Sequence, residues 1–172
     1  MATTYTLSNS ARVGWTATNT TSLIPDTTNS GSFNYTANLT NGTGAGSADK
    51  LYLAAPTIAA SGTLSLDLAG SLTDLFGATI TFARVKGIFI KFDDTNTGSS
   101  IALGGAASNT ATLFFSDDSD KVIIQKTGMF LNCRTDATGW PVTASTGDIL
   151  KIENLDSSNS VILNIAIWGA SS

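Results

Sequence analysis

The chain of 172 residues contains no histidine, which limits the chemistry that it can perform. Ser-His-Asp and Cys-His sites need an imidazole base, and many metal sites need an imidazole ligand. The carboxylates are twelve Asp and the single Glu153. Glycoside hydrolysis would need two carboxylates facing each other across a cleft, but most of these Asp residues lie in turn-like clusters. The lone Cys133 follows an apolar strand pattern, which favours a buried thiol over a nucleophile. We therefore predict that the protein is not an enzyme, and we assign no catalytic residue.

Two acidic clusters are the best candidates for a cation site, because calcium binds several oxygen ligands from one loop. They are DDTN at 93–96 and DDSD at 117–120. Neither has the glycine and terminal glutamate of an EF-hand loop, so exposed turns are the favoured interpretation and no metal is predicted. The glycine-rich segments NGTGAGS (41–47) and GGAASN (104–109) lack the lysine of a phosphate-binding loop. No cofactor is predicted.

The composition favours strands joined by turns as the scaffold for these residues. Charged residues make up only 13% of the chain, and Asp, a turn residue, far outnumbers Glu, a helix residue. Turn signals recur about every 8–12 residues, as in β-sandwiches. The sequence therefore predicts an all-β, jelly-roll-like sandwich in one domain, 1–172. Residues 1–48 would form polar N-terminal strands or an arm, and 49–172 the main sandwich.

The longest β-type run, Thr79–Asp93, is predicted to be a central strand with a bulge. Its apolar residues change parity near Arg84–Gly87, and one inserted residue in a strand produces such a change. Phe89 has the opposite parity from its apolar neighbours, which indicates that both faces of the strand are covered. The opposing sheet would cover one face. The other would be covered by a neighbouring subunit or by a short helix at 68–76, in which Leu72, Leu75 and Phe76 plug one end of the sandwich.

Several further predictions concern local structure and the aromatic residues. Local patterns predict two short strands near Tyr5–Leu7 and Val13–Ala17, a turn at Leu23–Asp26, a strand at 112–115, and a closing hairpin formed by 147–154 and 160–168. Alternating apolar patterns place Trp15, Tyr35 and Trp168 in a core. Trp140 lies in the loop TDATGWPV (135–142), where it either packs under its own loop or serves an interface.

Charge and hydropathy exclude several classes of partner. A net charge of −4 and the absence of a basic stripe argue against nucleic acid. No apolar run approaches the ~20 residues of a membrane span. The N-terminal MATTYTLSNS lacks the features of a secretory signal. We expect a protein made in a reducing compartment, with no nucleic-acid or membrane partner.

Several stretches together resemble a family of small β-rich proteins encoded among the virion genes of tailed bacteriophages and prophages. They are GTGAGSADKLY (42–52), TIAASGTLSLDLAGSLTDLFG (57–77), ITFARVKGIFIK (80–91), GGAASN (104–109), DATGWPVT (136–143) and the closing VILNIAIWGAS. The resemblance covers nearly the whole chain, but its motifs are turn and core patterns. No functional residue can be carried over from it.

The resemblance implies a virion structural protein, with a capsid decoration or cement protein as the leading hypothesis. The partners would be the major capsid protein or other virion proteins, and the protein would be assembled into virions in the cytoplasm of the bacterial host. A homo-oligomer is expected, with a trimer as one option because capsids have three-fold axes. Alternatives are a tail, baseplate or fibre component, or a carbohydrate-binding module using Trp140. The interface candidates are Trp140, Pro141, Phe89, Gly104, Gly105 and Asn109.

Overall fold

The computed structural model describes residues 3–21 and 24–172. At Thr21, Ile24 and Pro25 it describes only the backbone. Within these residues the chain forms strands and no helix, so the all-β prediction is confirmed. The strands are β1 (Leu7–Thr21), β2 (Ile24–Leu39), β3 (Lys50–Ala54), β4 (Thr57–Ile58), β5 (Thr63–Asp67), β6 (Leu72–Thr73), β7 (Thr79–Ile80), β8 (Arg84–Phe92), β9 (Ser100–Gly104), β10 (Lys121–Gln125), β11 (Met129–Cys133), β12 (Trp140–Pro141), β13 (Ile149–Asn154) and β14 (Val161–Ala170).

Two antiparallel sheets enclose the main core. One has the strand order β10-β9-β13-β5, and the other has β11-β8-β14-β3, with β12 added to β8 and β4 added to β14. Alternate residues of both sheets point inward, as the period of two in a strand requires. Fully buried examples are Ile88, Ile90, Leu163, Ile101 and Leu150. The predicted β-sandwich is confirmed, whereas the finer jelly-roll assignment stays a prediction.

A β-bulge interrupts β8 where the sequence predicts one. Gly87 pairs with Trp168 and Val85 pairs with Gly169, so Lys86 is an extra residue without a partner on β14. Val85 and Ile88 can therefore both face the core although they differ in parity. The run 79–93 is not one strand, however, because β7 ends at Ile80 and β8 begins at Arg84.

The predicted helix at 68–76 is absent, and a small β6–β7 hairpin replaces it. Oδ1 of Asp74 accepts a hydrogen bond from the backbone N–H of Phe76 at 2.8 Å, which closes a tight turn in place of a helical one. Leu72 is buried, but Leu75 and Phe76 are exposed at the turn. The prediction that all three plug the sandwich is therefore wrong for two of them.

Three other local predictions need correction, and a fourth lies partly outside the described residues. Strands β13 and β14 belong to different sheets, so they do not form the predicted closing hairpin. Residues 112–115 contain a turn, not a strand. The two predicted N-terminal strands are replaced by one long strand, β1, that begins at Leu7. The predicted turn at 23–26 begins at Leu23, which lies outside the described residues, and Ile24–Asp26 belong to β2.

Strands β1 and β2 form a long hairpin, which we call the arm. The two strands pair in register from Leu7↔Leu39 to Asn19↔Thr27. The root of the arm packs on the outer face of the six-stranded sheet, the face turned away from the main core. Residues 11–20 and 26–30 are exposed, so the distal part of the arm is not covered by the sandwich.

Candidate interaction surface

The root of the arm covers one cross-strand row of the outer face, formed by Leu51, Trp168, Gly87 and Cys133 on four neighbouring strands. Leu39, only 1% exposed, packs on Leu51 and Trp168 in a second, smaller core. The Trp168 indole lies across Gly87, where an added Cβ would sit 2.0 Å from Cζ2 of the ring. Glycine at this position therefore makes the room in which the indole lies flat under the arm.

The buried Lys86 fixes the loop that follows the arm. Because Lys86 is the bulged residue, its side chain leaves the ladder, and its Nζ donates hydrogen bonds to the carbonyl oxygens of Thr43, Gly44 and Ser47 at 3.0, 2.5 and 2.8 Å. Burial lowers the pKa of Lys86, and the nearby Arg84 guanidinium lowers it further. The bulge thus has a structural role, since it holds the 43–47 loop, and with it the end of β2, against the sheet.

Two tyrosines, Tyr35 on the arm and Tyr5 just before it, form hydrogen bonds with other parts of the chain. The Cys133 thiol donates to the Tyr35 hydroxyl oxygen at 3.3 Å. The Tyr5 hydroxyl donates to Oδ2 of Asp74 at 3.3 Å. Cys133 is half-buried beneath the arm, at the edge of the smaller core and outside the main one.

The two faces of the arm differ sharply in polarity. Paired residues of an antiparallel ladder share a face, so the register sorts the arm side chains into two sets. The face away from the sheet carries polar residues and glycine: Ser8, Ser10, Arg12, Gly14, Thr16, Ser30, Ser32, Asn34, Thr36 and Asn38. The opposite face begins with Leu7 and Leu39 at the root, continues with Asn9 and Ala37, and is then apolar as far as Trp15.

The distal part of that apolar face consists of Ala11, Val13, Trp15, Phe33 and Tyr35, which we call the stripe. The exposed fractions of its four large side chains are 66% for Val13, 41% for Trp15, 75% for Phe33 and 43% for Tyr35. The rings of Trp15 and Phe33 pack with centroids 5.2 Å apart. The Trp15 ring also lies over Gly31, and its Nε1 donates to Oδ1 of Asn29 at 3.2 Å. The stripe is thus an ordered apolar surface in contact with solvent.

A second apolar surface, which we call the groove, lies beside the root of the arm. The next row of the outer face is Leu53, Ala166, Phe89 and Leu131, parallel to the row that the arm covers. With Met129 and the edge of β1 at 7–10, this row lines a groove of about 380 Å³. The lining residues carry no charge.

The predicted interface residues lie in three separate parts of the molecule. Phe89 is half-buried and lines the groove. Trp140 is only 8% exposed and packs within its own chain, edge-on to Phe114 with centroids 5.6 Å apart and beneath the Arg134 guanidinium. Its neighbour Pro141 is exposed. For Trp140, the structure therefore matches the packing alternative.

Gly104, Gly105 and Asn109 lie at the end of β9 and in the loop that follows it. Their φ angles are 103°, 64° and 52°, in the region that glycine and asparagine adopt most readily. A Cβ on Gly104 would approach the carbonyl oxygen of Asp120 to 2.5 Å. The backbone conformation thus accounts for these residue types without a binding role.

The acidic clusters form turns whose carboxylates bind the backbone of the same turn. Oδ1 of Asp93 accepts from the N–H of Thr95, and Oδ1 of Asp117 accepts from the N–H of Ser119. The hydroxyl and the N–H of Thr95 lower the pKa of Asp93, and the N–H of Ser119 lowers the pKa of Asp117. In residues 3–21 and 24–172, no group of three or more acidic or cysteine side chains is arranged to hold a metal ion.

The stripe is the exposed apolar surface, and so the candidate interaction site, that reasoning from the sequence missed. Alternation correctly indicated an apolar face in 11–17 and 33–39, but the prediction buried Trp15 and Tyr35 in a core, whereas both are exposed. The polar opposite face, without an apolar residue from Ser8 to Thr18, was the available signal that one side of this hairpin meets only solvent.

Comparison of the chain with protein-family models, with curated proteins and with solved structures finds no match. In the part of the chain that the structure describes, no helix has the length and apolar character needed to cross a membrane.

Proposed function

We propose that this protein is a structural component of a tailed-phage virion, in the first place a capsid decoration protein that stabilises the head by protein–protein contacts. The observation that carries the proposal is the stripe. Large contiguous apolar surfaces are rare on proteins that act alone, and they mark sites where another molecule binds. Aromatic residues at the centre of such a surface are the usual anchors of a protein interface.

The shape of the molecule supports the same role. The sandwich carries a long two-stranded arm, so the stripe and the groove offer two separate apolar surfaces with which the protein could bridge neighbouring subunits. The resemblance to small β-rich virion proteins points to the major capsid protein or another virion protein as the partner. The protein would then be assembled into virions in the host cytoplasm.

The test is made on virions of a phage that encodes the chain. We expect mass spectrometry to find hundreds of copies in each purified particle, and particles that lack the gene to release their DNA at lower temperature or after dilution from high salt. Addition of the purified protein should restore resistance. Absence of the protein from virions, or unchanged resistance without it, would refute the proposal.

The alternative within the virion is a tail, baseplate or fibre component, and copy number separates the two. Tail-tip parts are present in single figures or tens, so a count in that range would move the protein from the head to the tail. The carbohydrate-binding alternative relied on Trp140, whose ring is buried against Phe114. The geometry therefore gives no support to a sugar site at Trp140, and a glycan array would test the exposed rings of Trp15 and Tyr35 instead.

A further inference from the structure

The stripe continues an interface that already exists within the chain. Toward the root, the apolar face of the arm is covered by the sheet, with Leu39 packed on Leu51 and Trp168. Toward the tip, the same face is exposed at Val13 and Phe33. The apolar face of the arm is thus covered only in its root half, where the row of the six-stranded sheet that contains Leu51 and Trp168 covers it.

The groove has the properties that such a cover needs. It lies on the same outer face, one row away from the row that the root covers, and it offers Leu53, Phe89, Met129 and Leu131. Neither the groove nor the stripe contains a charged residue, so their contact would bury no unpaired charge. Nδ2 of Asn9 lies buried at the edge of β1 and, within residues 3–21 and 24–172, has no hydrogen-bond partner. A strand placed in the groove could supply one.

The stripe of a chain cannot reach the groove of the same chain. The arm is a continuous ladder, and Val13 lies about 20 Å along it from Leu7, at roughly 3.3 Å for each residue. The groove is bordered by the root itself, at 7–10. Folding the distal part of the arm back onto the groove would break the ladder, so only another molecule could place a stripe like this one in the groove.

We infer that the stripe docks in the groove of a second copy of this chain, with the two arms side by side and antiparallel across the outer faces. Each stripe exposes about 400 Å² of side-chain surface by the usual areas of these residues. In a reciprocal pair, the two stripes would contribute about 800 Å², and the grooves that they cover would bring the buried area to about 1,000 Å², the lower bound for a specific protein–protein interface. The inference rests on these two surfaces and not on the virion role.

The test compares the oligomeric state of the full-length protein with that of two double variants, by light scattering and sedimentation at micromolar concentrations. Val13→Ser with Phe33→Ser changes one register pair of the stripe. Arg12→Ser with Asn34→Ser changes the adjacent register pair on the polar face and is the matched control. We expect an oligomer for the wild type and the control, and a roughly 30-fold or greater rise in the dissociation constant for the stripe variant.

The groove is tested separately with Leu53→Asp, which should dissociate the oligomer equally because it places a charge under the stripe. In a Cys133→Ser background, oxidation of a mixture of Val13→Cys and Leu53→Cys chains should cross-link one to the other. Circular dichroism checks that every variant is folded.

A monomeric wild type, or an oligomer that the stripe variant leaves intact, would overturn the inference. So would an oligomer in which Val13→Cys and Leu53→Cys do not cross-link. If the wild type is monomeric but binds capsids through the stripe, the occupant is the coat protein, and the proposed function survives without this inference. If the oligomer forms as expected but virions lack the protein, the inference about the second copy survives and the proposed function fails.

Discussion

The sandwich and the arm are built from the same antiparallel ladders, but they differ in what covers their apolar face. In the sandwich, the inward residues of each sheet meet those of the other sheet, and Ile90 and Leu150 are fully buried. In the arm, one apolar face runs from root to tip, yet only its root is covered. Alternation thus determines which side chains share a face, and the surroundings determine whether that face stabilises the fold or remains available for binding.

Shortening a side chain at the covered root should have the largest effect. We expect Leu39→Ala to lower the free energy of unfolding by about 2–5 kcal/mol, because it leaves a cavity among Leu51, Ala48 and Trp168. Urea denaturation measures the loss. A change below about 1 kcal/mol would mean that the root is no better packed than the tip.

A matched pair of glycine substitutions compares the sheet beneath the arm with the arm itself. Gly87→Ala should destabilise the protein by about 1–3 kcal/mol, because its new methyl group overlaps the Trp168 ring. In Gly14→Ala, on the polar face of the arm, the nearest atom is 3.8 Å from the new Cβ, so little change is expected. Urea denaturation gives both values, and near-ultraviolet circular dichroism should show a displaced indole in the first variant alone.

Removal of the charge at the bulge should loosen the loop that ends the arm. We expect Lys86→Met to cost about 1–3 kcal/mol, since three carbonyl oxygens lose their donor. Hydrogen exchange should become faster in 40–48, while the exposed Lys126→Met serves as the control. If the amides of this loop remain as protected as in the wild type, Lys86 does not hold it.

The sandwich should also account for the loss of stability in acid, because the described carboxyl groups whose pKa is lowered lie outside the arm. The N–H groups of Ser158 and Asn159 lower the pKa of Asp156 from 3.8 to about 2. The folded state therefore favours the carboxylate, and its contribution is present above about pH 4 and lost as the pH falls through about 2. In Asp156→Asn, thermal melts between these pH values should show a smaller acid loss of stability than the wild type shows.

The smallest effect is expected at Phe33, in the exposed stripe of the arm. Phe33→Ala should change the stability of the isolated chain by no more than about 0.5 kcal/mol, because the ring is 75% exposed. The measurement is made at concentrations where the chain is monomeric. A loss as large as that of Leu39→Ala would show that the tip is covered within its own chain, and the contrast between root and tip would disappear.

Predictions from the sequence succeeded where a local pattern determines the outcome. The change of parity near Arg84–Gly87 located the bulge at Lys86, because one inserted residue reverses the faces of a strand wherever it occurs. The all-β class followed from composition and turn spacing. The helix at 68–76 failed, since leucines at helical spacing also fit a hairpin when Asp74 caps its turn.

The tryptophans show why the surface could not be predicted in the same way. Trp140, flanked by glycine and proline in a loop, had the local pattern of a contact residue, but it is buried under Arg134 and beside Phe114. Trp15, in an alternating strand, had the pattern of a core residue, but it is exposed. Sequence alternation carries no information about which distant segment, if any, lies opposite a strand.

The position of β14 has a consequence for how the protein is made. This last strand lies between β8 and β3 in the six-stranded sheet, and it also pairs with β4. The sheet therefore cannot close until β14 has left the ribosome, whereas the arm can pair as soon as its two consecutive strands emerge. A nascent chain would thus expose its apolar arm before it has a sandwich on which the root can pack.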